Sequence, residues 1–108
     1  MDLDPLSLDG RRILVVGGRT RHISHYRRAV EALRGQFLHH DGGVEDNLDR
    51  LGGLFGRADA VVMPVDCVSH AAQSLAKRLC KQSGKRFIPV PRSGAGAFQR
   101  ALQSAVQA

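Results

Sequence analysis

Arg12-Ile-Leu-Val-Val-Gly-Gly18, a short apolar run stopped by paired glycines, decides the fold. The pattern predicts a buried strand entering a tight turn. Downstream of it, Ile23, Tyr26, Val30 and Leu33 recur at helical spacing through Arg34, and Gly35 is placed as the C-cap. A second strand is expected over Phe37 to His39, opening into Asp41-Gly42-Gly43. Leu48, Leu51, Leu54 and Phe55 mark another helix, whose regularity Gly52 and Gly53 weaken. Ala60-Val-Val-Met-Pro-Val65 reads as the third strand, with Pro64 at its end because proline donates nothing to a sheet ladder. Ser69 suits the N-cap of a helix carrying Ala72, Leu75, Ala76 and Leu79 on its inner face, and Gly84 closes it. Phe87 to Val90 is the fourth strand, which Pro89 and Pro91 assign to a sheet edge. Phe98, Ala101, Leu102 and Ala105 define a last helix.

Strands alternating with helices imply a parallel sheet with right-handed crossovers. The expected architecture is a small doubly wound α/β domain, Rossmann- or flavodoxin-like, with strand order 2-1-3-4 and helices on both faces. Residues 1–10 read as an N-terminal tail and residues 11–108 as one domain. With 108 residues there is room for a modest core but none for a separate substrate lobe. Aromatics make up 5% of the chain with no Trp, so that core must be aliphatic. No apolar run approaches the roughly 20 residues that span a bilayer, and Met1 to Gly10 lacks the basic start and apolar stretch of a secretion signal. Cys67 and Cys80 are expected on one helix pointing different ways, a geometry that admits no disulfide; reduced thiols in a cytoplasmic protein follow.

The net charge of +6 fits an anionic partner of some kind. Arg27, Arg28, Arg34, Lys77, Arg78, Lys81 and Lys85, however, fall mostly on the outer faces of the expected helices with few aromatics among them, which disfavours nucleic acid. A homodimer is expected instead, because a four-stranded sheet has open edges and a small domain gains stability by covering apolar area. A further protein partner is also compatible.

Ligands of open parallel sheets bind outside the carboxyl ends of the strands, near the point where strand order reverses. Four polar loops are expected on that edge: Gly17-Gly18-Arg19-Thr20-Arg21-His22, His39-His40-Asp41-Gly42-Gly43, Asp66-Cys67-Val68-Ser69-His70 and Arg92-Ser93-Gly94. The glycines after the first strand suit either a tight turn or an anion held by backbone amides at a helix start, with Arg19 and Arg92 assisting; neither the full dinucleotide fingerprint nor the phosphate-loop pattern is present. Cys67 and His70, three apart at a strand-to-helix junction, are a soft donor pair for zinc, iron or haem iron, and His39, His40 or Asp41 would have to complete a closed site. The alternative reading makes Cys67 a small buried residue and His70 a first-turn helix residue. Cys80 borders the apolar face and reads as packing. His22 and His25 read as exposed polar residues.

Val15-Val16-Gly17-Gly18-Arg19, His40-Asp41-Gly42-Gly43-Val44-Glu45 and Pro64-Val65-Asp66-Cys67-Val68-Ser69-His70-Ala71, followed by Lys77 and Cys80, together resemble the uncharacterised bacterial family called domain of unknown function 2325. The resemblance covers roughly Ile13 to Phe98. It implies a bacterial cytosolic α/β module with polar signatures on the edge just described, carried by Arg19, His40, Asp41, Glu45, Asp66, Cys67, Ser69, His70 and Lys77. It supplies no reaction. The first functional expectation is a cofactor-binding or sensory module, with a transition metal or haem on Cys67 and a nearby histidine among His70, His39 and His40. The second is an anion- or nucleotide-binding regulatory domain using Gly17, Gly18, Arg19, Ser69 and Arg92; Asp41 stands beside these as a further cofactor-binding candidate. A small cysteine-dependent enzyme ranks third, because so short a chain offers no evident substrate pocket, and no catalytic residue is assigned.

Overall fold

The computed structural model describes residues 7–43, 47–91 and 94–106. Strands β1 (Arg12–Val16), β2 (Gln36–His40), β3 (Ala60–Pro64) and β4 (Arg86–Val90) alternate with helices α1 (Ile23–Ala32), α2 (Leu48–Arg57), α3 (His70–Ser83) and α4 (Ala95–Val106). All pairings are parallel and the sheet order is β2-β1-β3-β4. The fold is therefore the doubly wound α/β arrangement that the apolar runs imply, with β4 and its Pro89 on an edge.

Successive side chains of a strand point to opposite faces, so a sheet covered on both sides must be apolar at every position of its central strands. β1 from Ile13 onward and β3 meet that demand. Ile13, Val15 and Val62 pack with α1 and α4 through Tyr26, Val30, Phe98 and Leu102. Leu14, Val16, Val61 and Met63 pack with α2 and α3 through Leu51, Phe55, Ala72 and Ala76. Each fully buried aliphatic side chain contributes about 1.5–3 kcal/mol. The two layers are thus stabilised by one continuous pair of strands.

Leu8 departs from the expected tail: it is fully buried in the α1/α4 layer, and its amide donates to Leu33 O at 2.6 Å. The end of α1 is also built differently from expectation. The left-handed residue is Arg34, at φ 63°, whereas Gly35 follows it and donates to Val30 O at 2.9 Å, while Arg34 N donates to Glu31 O. These two bonds form a Schellman closure whose left-handed position holds arginine. Gly35 is needed for a different reason: a β-carbon there would lie 2.5 Å from Leu8 Cδ1. Gly84, by contrast, closes α3 in the left-handed conformation as expected. The cysteines do not share a helix. Cys67 ends a 3-10 turn over Val65–Cys67, Cys80 lies inside α3, and both are free thiols.

Candidate functional site

The loops after β1, β2 and β3 meet at the carboxyl edge and interlock through their glycines. Gly17 N donates to His40 O at 2.8 Å and Gly18 N to Cys67 O at 3.0 Å, both with φ above 90°. A β-carbon on Gly17 would stand 2.5 Å from Cys67 O, and one on Gly42 would stand 2.9 Å from Val68 Cγ2. On Gly43 it would meet Ser69 Oγ at 2.5 Å. Ser69 N donates in turn to Gly42 O at 2.9 Å, and Ser69 Oγ caps α3 by accepting from Ala72 N at 3.1 Å. The paired glycines thus let three chain segments approach closely, and their amides are bonded within the protein. The expected glycine-amide cradle is corrected accordingly: Gly17 and Gly18 shape the site without offering donors to an anion.

His40 is fully buried and fastens the same structure. Its Nδ1 accepts from Gly42 N at 3.1 Å, which leaves Nε2 to donate to Asn47 O at 3.0 Å. Asn47 itself caps α2 by accepting from Asp49 N at 2.9 Å. His39 Nε2 lies 3.2 Å from Gly17 O; a carbonyl only accepts, so this nitrogen donates. With both its nitrogens engaged, His40 has no lone pair for a metal. Among the described residues, no group of three or more His, Cys, Asp or Glu side chains comes together that would hold a metal ion. The closed site expected from Cys67, His70, His39 and His40 does not assemble there.

What faces outward is a short rim. Arg19 is exposed and starts the 3-10 turn Thr20–His22, which runs directly into α1. Neither this start nor that of α1 has a side-chain cap or an acidic residue in its first turn. The first amides of a helical segment lack intrahelical acceptors, so Thr20 and Arg21 present N–H groups and the positive end of the helix dipole beside two guanidinium groups. His70 and Ala71 open α3 in the same way behind Ser69, again with no acidic residue in the first turn. The two helix starts leave adjacent strands at the point where the strand order reverses. Asp41 Oδ1 accepts from Gly43 N at 3.0 Å and holds its own turn. Asp66 is exposed and Cys67 partly exposed on the same rim. Lys77 stands about 10 Å along α3 and away from it, two helical turns on. Arg92 and Glu45 lie outside the described residues. Asn47 was missed by the sequence reading, although an asparagine immediately before an apolar helical run is a cap signal.

The two thiols differ. Cys80 is buried, and burial pushes its pKa above the ordinary 9.0 despite the opposing charge of Lys85. Cys67 borders the rim, and its carbonyl rather than its sulfur ties the β1 loop. A groove of about 460 Å³ lies elsewhere, between β4 and α4, lined in part by Ile88, Pro89, Val90, Ala97 and Arg100. With one cation and no nucleophile among the described residues of that wall, it offers less chemistry than the rim.

Residues 12–105 match the family described as an uncharacterized protein conserved in bacteria, DUF2325. The chain belongs to DUF2325. No curated protein and no solved structure matches it. The match spans every strand of the sheet and all three interlocked loops, so the DUF2325 chain contains the rim within the family region. No helix among the described residues is long and apolar enough to cross a membrane.

Proposed function

We propose that this DUF2325 chain is a regulatory binding domain for a small phosphate-bearing anion, inorganic or nucleotide, held on the rim by Arg19, the Thr20 and Arg21 amides and the start of α3. The observation that carries the reading is the uncapped start of the α1 segment, with Arg19 and Arg21 in its first turn and no acidic residue there, at the reversal of strand order. A planar guanidinium beside open amides suits a phosphate group. Interlocked glycines under the rim keep those donors in place before the ligand arrives, which reduces the ordering cost of binding. Titration with pyrophosphate in a calorimeter tests this: saturable binding is expected, and Arg19→Gln should weaken it about tenfold by removing a charge-assisted hydrogen bond. Binding that Arg19→Gln leaves unchanged would remove the reading.

A second reading keeps a transition metal or haem on Cys67 with His39 or His70, supported by the partial exposure of that thiol at the same edge. It requires an absorption band on addition of cobalt(II) or haemin that Cys67→Ser abolishes.

A further inference from the structure

A different face carries a second feature, built by α1 and α4 and independent of the anion reading. The two helices lie side by side on one side of the sheet, and a groove runs between them. One stretch of it has a volume of about 270 Å³ and the next about 170 Å³. They share Ala29, Ala32 and Gln99, so they form one channel, with Arg28 on its wall at one end and Gln103 at the other. Small side chains on a helix allow another backbone to approach closely, and glutamines along the opposite wall offer both donors and acceptors.

Arg28 lines the channel, and none of the described residues lining it is acidic. Exposed Arg34 follows the end of α1, Glu31 is the single carboxylate of that helix, and α4 contains no acidic residue. We propose that the channel docks a short acidic amphipathic helix of a partner protein. Its apolar stripe would fill the alanine-lined floor while glutamates or aspartates on its flanks face the arginines. A second copy of the chain fits poorly, because a two-fold arrangement would bring this cationic face against itself. Single-stranded nucleic acid also fits poorly. The two aromatics beneath the channel, Tyr26 and Phe98, are buried and stacked on one another at 4.2 Å, so they present no face to a base.

The test uses a fluorescent synthetic helix of about four turns, rich in glutamate, with leucines at i, i+3, i+4 and i+7. Anisotropy should saturate, and Arg28→Glu and Ala32→Trp should each weaken binding about tenfold, whereas Arg78→Glu on α3 should leave it within about twofold. Both Arg28 and Ala32 are exposed, so these variants are expected to fold; matching circular dichroism melts establish this. Absence of saturation overturns the proposal. So does equal weakening by Arg78→Glu, which would reduce the effect to bulk charge. The proposal also fails if single-stranded RNA or phosphatidylserine vesicles, rather than the peptide, show the Arg28 and Ala32 dependence.

Discussion

At Gly43 the missing β-carbon matters more than the freedom of the backbone alone, because its place is taken by the hydroxyl that caps α3. Gly43→Ala must displace Ser69 Oγ and hold alanine at φ 92°. The expected loss is about 2 kcal/mol, read as a fall in Tm on the order of 10 °C. Arg34 presents the converse case. It occupies the left-handed position of the α1 closure with no glycine to ease it, so Arg34→Gly should stabilise by about 1 kcal/mol in urea unfolding. The thiols give a third prediction. Cys67 should alkylate faster than buried Cys80 under native conditions. Because Cys80 is raised in the folded state, the unfolded chain releases that proton more readily; its contribution to stability is full below pH 9.0 and declines as pH rises above it. Cys80→Ala should flatten the alkaline arm of a stability-versus-pH profile.

The elements themselves were largely legible in the sequence, since the apolar periodicities of α1, α3 and α4 follow from which faces the sheet buries, and Pro89 excludes β4 from the sheet interior. Their fastenings were less legible. Gly35 follows the last periodic residues of α1 and so looks like a cap glycine, but its role depends on Leu8, which only the folded chain brings to it. The same ambiguity affects the paired glycines: a phosphate cradle and a close packing of loops require the same residues, and contacts among Gly17, Gly42 and Val68 have no local sequence signature. Glycines with nothing near them make a contrasting prediction. In α2, Gly52 and Gly53 are exposed, and a β-carbon on either would have no heavy atom within 4 Å, so each change to alanine should stabilise by roughly 0.5–1 kcal/mol. Additive gains in thermal unfolding check this, and a loss at either site would contradict the regular-helix description.

Across the whole molecule, the doubly wound order places one cationic rim at the reversal of the sheet and a separate cationic channel between α1 and α4. Arg19 and Arg21 belong to the first and Arg28 to the second, which makes the two surfaces separable by mutation. The central claim is that the open donors of the rim are the helix starts, whereas the glycine amides are committed within the fold. A backbone amide NMR titration with pyrophosphate addresses it directly. Thr20, Arg21, His70 and Ala71 should shift saturably with a common affinity, while Gly17, Gly18, Gly42 and Gly43 should keep their hydrogen-exchange protection. Shifts scattered over the exposed lysines of α3, with the Thr20 and Arg21 amides unmoved, would contradict the account.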